Sequence, residues 1–285
     1  MNLCTAVIAC SLFTVAAIFS GEAVAESRVI LPAAPLAEEM TGREVSFLAH
    51  NSETQASCVL EDSDLETQYG PWSTFKIPNL LIALETGVVD GLEAERAWDQ
   101  QRRPAANYWP DDWRRDQTLE SAFRRSAAWY FQDVAVDVGA QQYRMIMNDW
   151  SYGNAAAPDN SDTFWLDRTL RISVSEQVEF LSHLLSGSFD VAPESLEALT
   201  MASLDRSTNG FRLHGKTGSG PLVPGDFSRP FEGWYVGWVA RNGLKPIPFA
   251  LYAQAATYGE IRDFRRQFAI RMLIECGYLP GGFDS

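Results

Sequence analysis

Strand-type and helix-type patterning are segregated along this chain, and their order leaves few folds open. Residues 44–49 and 56–60 read as strands, with 51–54 as the turn of a hairpin. Residues 73–200 read mostly as helix. An apolar stretch at 77–86 is stopped by Gly87, and amphipathic stretches follow at 119–139, 141–150 and 175–186. Ser173 or Ser175 is placed to cap the last of these, just before Glu176. Beyond 210 the pattern reverts to strand at 210–215, 233–240 and 248–253, and 264–276 reads as a closing helix. Strands at both ends must pair to bury their apolar faces. The expected class is therefore α+β: an antiparallel sheet built from roughly 44–60 and 210–255 and flanked by helices. A mostly helical lobe from roughly 73–200 stands beside it, with the active site expected between the two. No repeat or linker divides residues 26–285, which read as one domain.

Residues 1–25 stand apart. A nearly unbroken apolar run over 3–19 is followed by Ala23-Val24-Ala25, the small-residue pattern of a signal-peptide cleavage site. No Lys or Arg precedes the run, which departs from the usual pattern. Export with cleavage after Ala25 is the expectation, giving a periplasmic or secreted protein with no stable membrane span after signal removal. Cys4 and Cys10 would leave with the signal. Cys58 and Cys276, 218 positions apart, could pair in an oxidising compartment or remain separate buried thiols. The net charge of −14 excludes the basic face that nucleic acid requires. The three histidines, His50, His183 and His214, are scattered and no C-x-x-C or H-E-x-x-H occurs, so no metal site is expected. Monomer and homodimer both remain open.

Lysine usage points to the chemistry. Only three of the 23 basic Lys and Arg residues are lysines: Lys76, Lys216 and Lys245. A desolvated lysine can lose its proton, whereas an arginine effectively cannot. Lys76 follows Ser73 by three positions. If Ser73 opens a helix, the two side chains share a face and a neutral lysine derivative can take the serine proton. Free N–H groups at that helix start suit a developing oxyanion. Ser-x-x-Lys alone occurs by chance roughly once per chain of this length, so an ordinary helix start is the competing reading. Lys216-Thr217-Gly218 lies between strand-like segments, where Lys and Thr can bind a carboxylate and Gly admits a close approach. A plain turn between strands is its bland alternative.

Ser73-x-x-Lys76 followed by Lys216-Thr217-Gly218 resembles the penicillin-recognising serine enzymes. Residues 73–79, Tyr152-Gly153-Asn154, Phe164-Trp165-Leu166-Asp167 and the Gly233-Trp234-Tyr235-Val236-Gly237-Trp238 run narrow the likeness to the class D β-lactamases, or oxacillinases. The likeness spans about 47–280. It implies a serine β-lactamase/penicillin-binding-protein-like α/β/α fold and hydrolysis of β-lactam antibiotics through an ester on Ser73. It implies no cofactor beyond carbon dioxide or bicarbonate, which carboxylates Lys76 to make the general base. It implies that Trp165 hydrogen-bonds that carbamate and that Ser126 relays a proton to the leaving nitrogen. Lys216, Thr217, Gly218, Ser219 and Arg265 would bind substrate, with Arg262 and Arg266 as competitors of Arg265. The N–H groups of Ser73 and Ser219 would form the oxyanion hole. Phe75, Ala128, Tyr152 and Asn154 would shape the cleft. The chain departs from the usual Ser-x-Val with Ser126-Ala127-Ala128. A penicillin-binding DD-peptidase or transpeptidase, and a β-lactam-sensing domain that holds a stable acyl-enzyme, share most of these motifs.

Overall fold

The computed structural model describes residues 27–283, so the apolar N-terminal segment and its expected cleavage site lie outside the described residues. The chain opens with strands β1 (Ser27–Leu31), β2 (Arg43–Asn51) and β3 (Ala56–Leu60). A 3-10 turn, Trp72–Phe75, runs directly into α1 (Lys76–Glu85). Two-residue strands β4 (Glu95–Arg96) and β5 (Gln117–Thr118) pair beside helices α2 (Leu119–Arg125), α3 (Ala128–Val138) and α4 (Ala140–Asp149). Helices α5 (Val174–Ser186) and α6 (Pro193–Ser203) complete the helical lobe. Strands β6 (Leu204–Thr208), β7 (Phe211–Pro221), β8 (Phe231–Arg241) and β9 (Ile247–Ala255) follow, then α7 (Tyr258–Ile261) and α8 (Phe264–Glu275).

Both chain ends contribute to one seven-stranded sheet in the order β1-β3-β2-β9-β8-β7-β6. The join is β2 against β9, from Arg43–Ala255 to Ala49–Phe249. The expectation of an antiparallel sheet needs one correction. At its edge β1 runs parallel to β3, because the 32–42 connection returns the chain to place β2 inside and leaves β1 outside. Side chains alternate across a strand, and β8 feeds two cores in this way. Trp234, Val236 and Trp238 pack into the helical lobe, whereas Phe231, Tyr235 and Val239 pack with α8. With both faces covered, β8 is buried along nearly its whole length.

Two further expectations are corrected. The amphipathic stretch at 119–139 is broken into α2 and α3 at Ser126, whose backbone is left-handed at φ 60° and ψ 26°. Amphipathic spacing persists across the break, which is why periodicity misses it. The stretch from 87 to 118 is mostly irregular rather than helical. Arg103 fastens it, with Nε donating to Asp133 of α3 at 2.9 Å and Nη1 to Asp162 at 2.6 Å. The expected cap of α5 is Ser173, whose Oγ accepts from Glu176 N while Glu176 closes the capping box.

Cys58 of β3 and Cys276, just past α8, form a disulfide with Cα atoms 6.1 Å apart, which closes the alternative of two separate thiols. A bridge across 218 positions restricts the unfolded chain by about 5 kcal/mol in the chain-entropy account.

His214 of β7 lies flat on Trp238, ring centroids 4.8 Å apart, with Nδ1 3.1 Å from Thr200 O and Nε2 buried without a partner. Burial brings its pKa down to about 4. An unfolded histidine binds its proton near pH 6.5. Between those values the unfolded state holds a proton the native state refuses, so stability falls as pH drops from about 6.5 toward 4, by about 3 kcal/mol from this group. His214→Phe should flatten that part of the stability–pH curve, measured as urea-unfolding free energies across pH 4–7. An unchanged slope would remove His214 as its source.

Candidate active site

The cleft is built around the 3-10 turn before α1. In a 3-10 turn residues i and i+3 eclipse, and Lys76 Nζ accordingly lies 3.1 Å from Ser73 Oγ. The preceding residue, Trp72, holds φ 49°, a left-handed backbone that costs a non-glycine residue about 1 kcal/mol or more. Neighbours over-determine this conformation. Tyr69 and Ile172 exchange two backbone hydrogen bonds of 2.9 Å, and Trp234 Nε1 donates to Gly70 O at 2.9 Å. Thr74 Oγ1 donates to Pro71 O at 2.6 Å and accepts from Gln177 Nε2 of α5 at 3.2 Å.

Lys76 is fully buried, with Nζ 5.2 Å from the centroid of Phe131. Among the described residues no carboxylate pairs with it, and desolvation alone brings its pKa down to about 7. The Phe75 ring packs with Tyr143, Tyr152, Phe164 and Trp165 at centroid distances of 5.4 to 6.1 Å. Trp165 is buried within this box, and its Nε1 has no hydrogen-bond partner. An orphaned buried donor is costly and calls for an acceptor.

The second wall is β7. Lys216 Nζ donates to Ser126 Oγ at 2.5 Å and to Thr217 O at 3.1 Å, and lies 5.8 Å from the centroid of Phe123. The left-handed break between α2 and α3 presents Ser126 to it. Desolvation, then the positive charges of Lys76 and Arg265, hold the Lys216 amine well below the usual lysine range. Gly218 is where β7 meets the nucleophile turn. A Cβ there would lie 2.7 Å from Pro71 O, 3.0 Å from Thr74 N and 3.1 Å from Ser73 N. The register places Ser219 one residue further along β7, opposite Gly233.

The three candidate arginines separate cleanly. Arg265, in the first turn of α8, is buried, and its Nη1 donates to Gly218 O at 2.9 Å while Nε has no partner. Arg262 is exposed and pairs with Asp263, and Arg266 pairs with Asp205 at 2.6 Å. Tyr152 is buried against Phe75 and Phe180, and burial holds its phenol far above the usual range. Asn154 is exposed and works as a loop staple: Oδ1 accepts from Arg171 N and Ala156 N, and Nδ2 donates to Thr169 O. Ala128 opens α3 one turn before Phe131. Phe131, Phe123, Trp72 and Glu232 surround the site without having been singled out by motif. Three residues after Ala128, on the same helical face, was the signal for Phe131. No cluster of metal-ligating side chains occurs among the described residues.

One serine–lysine pair, a second serine–lysine pair opposite and a buried arginine with one unpartnered nitrogen thus converge on the same cleft. The model of the penicillin-binding protein transpeptidase domain matches residues 36–262. Among relatives, β-lactamase OXA-10 of Pseudomonas aeruginosa is 36% identical over 187 residues, covering 65% of this chain and 68% of the relative. A class D β-lactamase from Sebaldella termitidis superposes with TM-score 0.78 and 25% identity, covering 89% of this chain and 99% of that one. The C-terminal domain of the Bacillus licheniformis BlaR penicillin-receptor superposes with TM-score 0.79 and 25% identity, covering 90% and 99%. The chain belongs to the class D β-lactamase family.

Gly218→Ala sets a methyl against backbone atoms that cannot swing aside. It should cost about 1–3 kcal/mol in urea unfolding. A loss under about 0.5 kcal/mol would mean that β7 and the Ser73 turn are not tightly apposed.

Proposed function

We propose that the protein hydrolyses β-lactam antibiotics through an ester on Ser73. The observation that carries this reading is the Ser73–Lys76 contact of 3.1 Å inside an aromatic enclosure that brings the lysine pKa down to about 7. A largely neutral Nζ near pH 7.5 can accept the proton of Ser73 Oγ as the oxygen attacks the lactam carbonyl. The backbone N–H groups of Ser73 and Ser219 face the carbonyl oxygen as it becomes an oxyanion. Ser126 Oγ gives its proton to the lactam nitrogen as the C–N bond breaks and is reprotonated through Lys216 Nζ, 2.5 Å away, by the proton that Lys76 took from Ser73, which returns Lys76 to its basic form. The unpartnered Nε of Arg265, with Lys216 Nζ and Thr217 Oγ1 as further hydrogen-bond donors, binds the substrate carboxylate, and no acid pairs with Arg265 or Lys216 among the described residues.

The residues also suit carbon dioxide as a modifier of Lys76. Carbamate formation needs an unprotonated amine, and burial supplies one. A carbamate on Nζ supplies an anionic oxygen as general base. The unpartnered Nε1 of Trp165 is the donor that suits such an anion. Release of the ester by water requires residue 76 to take a second proton, and that step separates a hydrolase from a receptor of the BlaR kind. Export to an oxidising compartment is part of the same reading, supported by the Cys58–Cys276 bridge.

Lys76→Ala should slow acylation by about 10²–10⁴-fold and leave the ester on Ser73 intact for hours, read by intact-protein mass after mixing with a chromogenic cephalosporin. Unchanged turnover would end the role of Lys76 as base, and one persistent ester per wild-type chain would favour the receptor reading. Activity should fall as pH drops below about 7, where the Lys76 amine becomes protonated, and added bicarbonate should restore part of it. With ¹³C-bicarbonate a carbamate resonance should appear in wild type and vanish in Lys76→Ala. A resonance absent from wild type would mean that Lys76 acts as a plain amine.

A further inference from the structure

Glu232 of β8 is fully buried, and every group around it donates. Its Oε1 accepts from Trp72 Nε1 at 2.7 Å and its Oε2 from Tyr252 OH of β9 at 2.8 Å. Arg168 Nε lies 3.5 Å from Oε1, and Arg168 Nη1 donates to Leu222 O, just past β7, at 2.6 Å. One carboxylate therefore joins the nucleophile turn, the loop after Trp165 and the end of the Lys216 strand. Burial pushes its carboxyl upward, opposed by Arg168, Trp72 and Tyr252. A buried carboxylate held by one long ion pair is an unfavourable choice for stability unless its partners need it.

The partner that matters is Trp72. It immediately precedes Ser73, and its left-handed backbone is strained for any residue with a side chain. The indole lies over Gly220, which faces Glu232 across β7 and β8. A Cβ on Gly220 would fall 2.3 to 2.4 Å from three indole ring atoms. Shape fixes the plane of the ring, and the hydrogen bond to Glu232 fixes its direction.

We propose that Glu232 is a positioning residue for acylation: through Trp72 it holds the strained turn that aims Ser73 Oγ at Lys76 Nζ. This inference rests on the hydrolase reading of the site. It acts on the chemical step rather than on substrate capture, because Glu232 lies behind the turn and Arg265 binds from the other side of β7.

The test compares Glu232→Leu, Trp72→Phe, their double variant and Glu232→Gln as full chains, titrated for competent sites so that misfolded protein is not counted. Single-turnover labelling with a fluorescent penicillin gives the acylation rate constant apart from substrate affinity. Glu232→Leu and Trp72→Phe should each slow acylation by about 10-fold or more, with affinity within about 3-fold of wild type. The double variant should be no slower than about twice the slower single. Glu232→Gln keeps an acceptor for the indole and should recover to within about 3-fold of wild type. Wild-type acylation in Trp72→Phe with only a lower Tm, or losses that multiply in the double, would overturn the role. Hydrogen exchange of the 72–75 amides decides the same point without a β-lactam: faster in Glu232→Leu and near wild type in Glu232→Gln supports it, and no change overturns it. Failure of wild type to take up penicillin would count against the hydrolase reading, and the exchange result would still judge Glu232.

Discussion

An amine buried without an acid to neutralise it is the condition on which this site depends. Lys76 is fully buried with its Nζ over the Phe131 ring, and its hydroxyl neighbour is Ser73. In water such an amine stays protonated and useless as a base. Here burial brings its pKa down to about 7, beside a half-buried serine that substrate can reach. An acid placed beside it would favour the protonated amine, and among the described residues neither Lys216 nor Arg265, its basic neighbours, pairs with a carboxylate.

The fold serves this condition by bringing remote segments against a single turn. The sheet is joined by β2 on β9, so that β8 lies centrally enough to be covered on both faces while β7 beside it keeps alternate positions half-exposed. The helical lobe supplies the aromatic box from the Trp72–Phe75 turn, α4 and the 152–165 loop, and Phe131 from α3. The strand edge supplies Lys216 and the bare backbone of Gly218, and α8 supplies Arg265 from behind. Each wall is held by hydrogen bonds that cross between elements distant in sequence, among them Trp234 to Gly70 and Gln177 to Thr74.

What could be read from the sequence divides along the same line. The sheet from both ends, the helical middle and the Ser73, Lys76 and Lys216 positions are local signals: strand alternation, helical period, and spacing within one turn. Arg265 could not be told from Arg262 and Arg266 by sequence, because the distinction lies in which one faces Gly218 and which ones find surface carboxylates. Ser126 shows a similar limit. Its left-handed backbone interrupts a helix without disturbing the hydrophobic period, so the break that presents it is silent. Asn154 belongs to a motif yet ties a loop to itself, whereas Glu232 and Trp72 belong to no motif and meet across 160 positions. The parallel edge strand β1 was invisible because period-two patterning carries no direction.

The docking of α8 couples one wall of the cleft to a strand on the far side of the sheet. Arg265 reaches Gly218 from a helix whose far end is tied through Cys276 to Cys58 in β3. The place of Arg265 beside β7 is thus set at one end of α8 by a hydrogen bond and secured at the other by a covalent tie to β3. Reduction would leave the local Ser73–Lys76 turn untouched while α8 kept its seat by packing alone, so the bridge bears on Arg265 before it bears on the nucleophile.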